Sequence, residues 1–171
     1  ETSLPRSLMF LRMTTIEKGQ SMPGALDGLR VIDLTQQLAG PFCTMNLADH
    51  GADVIKVEPP RGDDVRTVAP MVEGESIPFM MWNRNKQSIA LDLKDESDKA
   101  LLFQMLEDAD IFVESSRPGA MKRLGLDWES IRNRFPRLIM ASVSGYGQTG
   151  PMAEQGGFDV MAQAMSGLMA V

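Results

Sequence analysis

The chain has 171 residues and a net charge of −6, with 43% hydrophobic and 23% charged residues. This is the make-up of an ordinary globular domain with room for a substantial core, and its acidity argues against a nucleic-acid binder, which needs a basic face to neutralise phosphates. A single cysteine (Cys43) excludes an intrachain disulfide or a cysteine-built metal cluster, a single histidine (His50) excludes a His-rich zinc site, and no apolar run reaches the roughly 18 residues that suggest a membrane span.

Residues 1–24 mix Ser, Thr, Pro and charges without a sustained period and read as a disordered extension. Arg6, Arg12 and Lys18 hint at an organelle leader, but Glu1 and Glu17 break its acid-poor pattern. The β-branched run Leu29–Leu34 predicts a first strand. Pro41 then takes the first position of a helix reaching His50, where its missing N–H costs nothing, and Gly51 stops that helix. A strand Asp53–Glu58 completes a parallel crossover. Pro59 to Pro78 is a long polar loop carrying Arg61 and Arg66. A strand Ser88–Leu93 follows, then an amphipathic helix Ser97–Ala109 with Leu101, Leu102, Met105 and Leu106 on one face. A strand Asp110–Glu114, short helices around Gly119–Leu124 and Trp128–Phe135, and a strand Arg137–Val143 come next. The alternation predicts an α/β domain with a mainly parallel sheet and flanking helices. The chain starts without methionine and stops at Val171 inside an apolar helix with no stop signal, so it is read as a piece of a longer protein.

The most informative stretch is the run Ala141 to Pro151 (ASVSGYGQTGP) followed by Gly156-Gly157-Phe158-Asp159. Gly145, Gly147 and Gly150 spell the dinucleotide fingerprint G-x-G-x-x-G, but after the fifth strand rather than the first, and no acidic residue has a place at the expected distance beyond it. A mobile glycine loop over a site is the better reading, with a plain turn the alternative. Asp159 opens an apolar run. It is either the N-cap of a helix or a nucleophile held at a helix start, and the two roles are compatible. Gln36 and Gln37 follow the first strand, on the edge of an open parallel sheet where ligands bind, and read as substrate contacts or as solvated loop amides. The cluster Asn83-Arg84-Asn85-Lys86, and Arg117, Lys122 and Arg123 after the fourth strand, offer cations for phosphates or form solvated turns. His50 reads as a capping or surface residue, Cys43 as a small core hydrophobe, and Met80, Met81, Met161, Met165 and Met169 as core or interface packing.

Taken in order, several pieces resemble the class III coenzyme A-transferases, a family that includes acyl-CoA racemases and carnitine-type CoA-transferases. They are GLRVIDL at 28–34, AGP at 39–41, GADVIKVE at 51–58, NRNKQSI at 83–89, DIFVE at 110–114, Pro118-Gly119, GYGQTGP at 145–151 and GFDVMAQ at 157–163. They cover residues 25–171, which the resemblance makes the N-terminal part of a CoA-transferase large domain, since whole members are much longer. It implies a Rossmann-like domain and, at full length, an interlocked homodimer. It also implies that Asp159 matches the catalytic aspartate, which attacks the acyl-CoA thioester to form a mixed anhydride. Released CoA converts this to an aspartyl-CoA thioester, and an acceptor carboxylate takes CoA through a second anhydride. No metal and no permanently bound cofactor is needed. The CoA thioester is a substrate, and a carboxylic acid is the other; a dicarboxylate such as succinate is the expected donor acid.

By the same resemblance Lys86 and Arg123 match positions that contact CoA. Gln36 and Gln37 fall in a variable site triplet, and Tyr146 and Gly147 belong to the glycine loop over the substrate. Pro59 stands where some members carry an arginine for the adenosine phosphate, so Arg61 or Arg66 is the expected substitute. Ser115 and Ser116 replace an asparagine–aromatic pair. The racemases use a histidine some way before the aspartate; Glu129 lies there and Asp127 to Arg137 holds none, which disfavours a racemase or epimerase. A non-catalytic, truncated CoA-binding fragment is the alternative of another class, and the piece alone is expected to be inactive. No nucleic-acid or membrane partner is expected, and the location is expected to be cytoplasmic, or mitochondrial in a eukaryote.

Overall fold

The structure is a computed structural model, and it describes residues 23–170; all but the last two residues of the expected N-terminal extension lie outside that range. The elements are β1 (Arg30–Leu34), α1 (Ala39–Asp49), β2 (Asp53–Glu58), β3 (Met71–Val72), β4 (Glu75–Ser76), α2 (Ile77–Asn83), β5 (Lys86–Ala90), α3 (Glu96–Glu107), β6 (Ile111–Glu114), α4 (Ala120–Leu124), α5 (Trp128–Ile131), β7 (Ile139–Ser142) and α6 (Asp159–Met165). A five-stranded sheet runs in the order β5-β2-β1-β6-β7 with every pairing parallel. The chain thus winds outward from β1 in one direction, then returns to the other side of β1 through β6. That reversal makes the carboxyl ends of β1 and β6 the topological switch point of an open α/β sheet.

Parallel strands buried on both faces should be apolar throughout, with neighbours facing opposite layers. Ile32 and Phe112 pack with Leu102, Leu106, Leu126, Ile131 and Phe135 on the face covered by α3 to α5. Val31, Val54 and Val113 pack with Ala48 and Ala52 on the face covered by α1. α3 is fastened at its start by Asp95, whose carboxylate accepts the N–H groups of Ser97 and Asp98.

The long loop expected between the second and third strands is partly ordered. It holds a 3₁₀ turn at Asp64–Thr67, the β3–β4 hairpin and the start of α2. Glu73 and Gly74 both have positive φ, as a two-residue type I′ hairpin turn requires. α2 is absent from the sequence reading because it is short and begins at Ile77-Pro78. Ser76 starts it by accepting the N–H of Phe79 through its hydroxyl, and Pro78 is tolerated in the first turn. The third strand consequently begins at Lys86 rather than Ser88.

A buried charge network lies beneath β1, β2 and β5. Asp33 is fully buried; Thr44 Oγ1 (2.6 Å) and Lys86 Nζ (3.0 Å) donate to its Oδ2, and the backbone and hydroxyl of Thr35 donate to Oδ1. Lys86 Nζ also donates to Pro41 O and to Asn83 Oδ1, both at 2.9 Å. Lys56 Nζ reaches Asp63 Oδ2 (2.9 Å) and Thr35 O (2.8 Å). Glu58 receives a bidentate fork from Arg66 (2.7 and 2.6 Å) and the hydroxyl of Ser88. Burial disfavours the charge on Asp33, but Lys86, Lys56, Thr35 and Thr44 outweigh it and hold the carboxyl below the usual range. For Glu58, burial is again outweighed, by Arg66, Ser88 and the Asp63 N–H. Burial draws Lys86 down to about 8 against the pull of Asp33, which leaves it charged at neutral pH.

Lys86→Met should therefore destabilise the fold by about 3–5 kcal/mol, because it strands the buried Asp33 carboxylate. The double variant Asp33→Leu/Lys86→Met should recover much of that loss, measured by denaturant unfolding. The lowered carboxyl values of Asp33 and Glu58 also set the acid response. Their stabilisation is complete above the ordinary values of 3.8 and 4.5 and is lost as pH falls through the lower folded values, so unfolding midpoints should drop steeply below about pH 4.

Candidate active site

A cleft of about 490 Å³ opens at the switch point. Three walls form it: the loop after β1 (Gln36 to Gly40), the loop after β6 (Ser115 to Pro118), and two glycine segments, Val143 to Gly145 and Gln155 to Asp159. A second cavity of about 220 Å³ lies between the ends of β1, β2 and β5 and α4, lined among others by Glu58, Pro59, Asp92, Lys94 and Met121. Gln36 and Ser116 line both cavities and form the wall between them.

Each wall is held by identifiable contacts. Lys56 donates to the Thr35 carbonyl, and Gly40, the second residue of α1, lies against Thr35, where a Cβ would stand 2.4 Å from the threonine Cβ. Gln36 donates its N–H to Ser115 Oγ at 2.9 Å, which ties the β1 loop to the β6 loop across the switch point. Gln37 follows with φ +69°, a left-handed backbone that costs a non-glycine residue on the order of 1 kcal/mol. The β6 loop is fixed by the Glu114 carboxylate, which accepts the Ser116 N–H at 2.7 Å. The two glycine segments touch each other: a Cβ on Gly145 would lie 2.4 Å from Gly157 Cα, and the reverse holds as well. Only glycine allows this crossing, and the crossing carries Phe158 and Asp159 to the cleft.

Asp159 is exposed and is the first residue of α6; Phe158 is the cap and makes no side-chain cap bond, so the expected N-cap role of Asp159 is not realised. Its Oδ2 accepts a bond from Gln163 Nε2 at 2.5 Å. The cleft thus joins Asp159 with Gln36 and Gln37. Tyr146 and Gly147 sit beyond its lining, Tyr146 with its hydroxyl at 3.0 Å from Met165 Sδ. Arg61 is exposed and paired with Asp64 at 3.2 Å. Arg123 is exposed on α4, outside both cavity linings. Ser144 was not singled out from sequence, yet its hydroxyl is buried at the cleft without a hydrogen-bond partner among the described residues.

Lys86 requires a correction. It was expected to contact CoA phosphates from the carboxyl edge of the sheet. It begins β5 instead, is 1% exposed, and spends its three ammonium protons on Asp33, Pro41 and Asn83. No donor is left for a ligand. The cations that line these two cavities are Lys94 in the smaller and Arg117 in the larger. Lys94 directly follows the strand expected to end at Leu93 and carries no local signal of its own. Cys43 is exposed rather than a core residue, because α1 turns that face away from the sheet. The methionines at 80, 81, 161, 165 and 169 are exposed too, which leaves interface packing as the surviving half of their reading.

This fold, with its cleft at the switch point, belongs to a known class. Residues 26–171 match CoA-transferase family III, and the chain belongs to that family. It is 52% identical over 147 residues to the acetyl-CoA:oxalate CoA-transferase of Acetobacter aceti, covering 85% of this chain and 38% of that protein. It is 49% identical over 146 residues to the succinyl-CoA:glutarate CoA-transferase of Mus musculus, covering 84% and 34%. Among solved structures, a CAIB/BAIF family protein from Brucella suis superposes with a TM-score of 0.82 at 43% identity, over 86% of this chain and 40% of that one. The chain therefore spans about two-fifths or less of the length of these relatives.

Replacing Gly145 with alanine should force the two glycine segments apart. The expected cost is about 1–3 kcal/mol of stability, as for overpacking elsewhere. Gly147→Ala, where nothing lies within 4 Å of the new Cβ, should act only through its φ of +82° and leave the crossing closed. Comparing the melting of the two variants checks this.

Proposed function

We propose that the whole protein is a CoA-transferase that moves CoA from an acyl-CoA donor to a carboxylic acid, and that this chain supplies the wall that binds the thioester. The observation that carries the reading is the meeting of Asp159, Gln36 and Gln37 in one cleft at the switch point, where open parallel sheets bind their ligands. The names of the relatives support it: they pair acetyl- or succinyl-CoA with oxalate, glutarate or mesaconate. All of these acids are dicarboxylates, so a dicarboxylate is the proposed acid.

In this reading a carboxylate of the enzyme attacks the thioester carbon, the C–S bond breaks and an anhydride forms. The CoA thiolate then attacks the enzyme's acyl carbon and releases the donor acid with one enzyme oxygen. The acceptor carboxylate attacks the resulting enzyme thioester, expelling the CoA thiolate and forming a second anhydride, and the thiolate then attacks the acceptor acyl carbon, breaking its bond to the enzyme carboxylate. The enzyme carboxylate is regenerated with an oxygen from the acceptor. The chemistry splits one hard transfer into easier steps. Asp159 is the carboxylate that this chain brings to the cleft. A second assignment has an observation in its favour. Asp159 is exposed, one of its oxygens is bonded to Gln163, and no residue of α6 is buried. On that reading the nucleophile comes from the part of the relatives that this chain does not span, and Asp159 orients the acyl group.

Hydroxylamine trapping in the full-length protein separates the two. With acyl-CoA present, a hydroxamate at Asp159 and loss of turnover by roughly a thousandfold or more in Asp159→Asn are expected if it is the nucleophile. A hydroxamate on another carboxylate, with Asp159→Asn within about tenfold of wild type, assigns it the orienting role.

CoA itself is proposed to run from the larger cavity past Gln36 and Ser116 into the smaller, with Lys94 and Arg123 facing its phosphates. Alanine at either should weaken CoA binding by about 1–3 kcal/mol, as for a hydrogen bond to a charged group, and the loss should shrink as salt rises. Titration calorimetry of both variants at low and high salt tests this; unchanged affinity in both moves the phosphates elsewhere. We further propose a homodimer for the whole protein. The exposed Phe158, Val160, Met161, Met165, Leu168 and Met169 form an apolar surface beside the cleft that suits burial against further protein. On the same grounds the chain by itself is proposed to be inactive.

A further inference from the structure

We propose that Arg117 is a specificity-determining residue that holds the second, unreacted carboxylate of a dicarboxylic acid in the cleft. The proposal rests on the CoA-transfer reading above and goes beyond it by assigning the residue that separates diacids from monoacids.

The first ground is charge. Among the described residues lining the larger cleft, Arg117 is the one cation and Asp159 the one anion. When one carboxyl of a diacid becomes a thioester or an anhydride, the other stays ionised and travels with the acyl group. A charge brought into a cleft with apolar walls needs a partner there.

The second ground is that the guanidinium is uncommitted. Arg30, Arg61, Arg66, Arg84, Arg132 and Arg134 each pair with a carboxylate. Among the described residues Arg117 has no such pairing, which keeps its planar fork for a ligand.

The third ground is placement. The Arg117 backbone is fixed on both sides: the preceding Ser116 N–H is bonded to Glu114, and the Arg117 carbonyl accepts the Ala120 N–H at 3.0 Å. Its side chain crosses from the β6 loop to the glycine segment. The guanidinium atoms lie 3.8–4.0 Å from where a Cβ on Gly156 would stand, so it rests against the backbone that leads into Asp159. A bulky side chain at position 156 would crowd it. The buried and unpartnered Ser144 hydroxyl in the same lining offers a further donor for an anionic group. A guanidinium fork makes two parallel bonds to a carboxylate, and a site built around such bonds rejects a substrate that lacks the group.

The test uses full-length protein and two acceptors with the same five-carbon chain, glutarate and valerate. For Arg117→Gln, the ratio of kcat/KM for glutarate to that for valerate should fall by about ten- to a hundredfold, and Arg117→Lys should lie between wild type and Arg117→Gln. A ratio unchanged in both variants overturns the proposal. So does a loss of affinity for CoA alone with the ratio intact, which would give Arg117 to the phosphates of CoA. A wild-type enzyme that transfers CoA to neither acid fails at the activity itself, a result distinct from the loss of discrimination.

Discussion

The ion pair between Asp33 and Lys86 is the constraint on which the rest of the architecture depends. Both side chains are fully buried. Around that pair the chain collects Thr44 and the Pro41 carbonyl from α1, Asn83 from the end of α2, and Thr35 from the loop that enters the cleft. A buried ion pair is weak evidence for stability, since removing charges from water costs much of what their attraction returns. Its value here is geometric. A fully bonded ammonium permits one arrangement of β1, α1, α2 and β5, and any slip leaves a charge unpaired.

The site inherits its shape from that arrangement. Lys56 holds the carbonyl of Thr35, so the backbone leaves β1 at a defined place before it turns through the left-handed Gln37. Ser115 then joins the β1 loop to the β6 loop through the Gln36 N–H. A cleft at the carboxyl edge of a parallel sheet is the general outcome of strand order, because the loops on either side of the reversal part from each other. What distinguishes this one is the third wall. The backbone contact between Gly145 and Gly157 brings a segment far along the chain across the cleft mouth, and no side chain at either position would leave room for it.

The wall nearest the carboxylate is itself exposed. No residue of α6 is buried, and its apolar side chains face outward. The β1 and β6 walls are anchored by buried charges and by the sheet, whereas α6 rests on the glycine crossing, its own helical bonds and the Tyr146 hydroxyl against Met165. Rigid recognition elements thus sit on the sheet side of the cleft, and the acidic group sits on a helix that buries none of its residues.

The sequence by itself determined the sheet, because strands buried on both faces must be nearly continuous apolar runs, and five such runs separated by helical patterns leave little choice but a parallel α/β sheet. It also singled out Gln36, Gln37 and Asp159, which the fold brings to one cleft, since strand ends and glycine pairs are local signals. α2 escaped because seven residues with a proline near the start carry too little periodicity to be read. The fate of the cations was decided by the tertiary structure alone. Lys86 opens β5 and Lys94 lies in the loop after it, yet one is buried against Asp33 and Pro41, which lie 53 and 45 positions away, and the other lines a cavity. A lysine becomes a ligand contact or a structural ion according to whether the fold brings a carboxylate to it, and the distance along the chain between such partners holds no local pattern from which that meeting can be read.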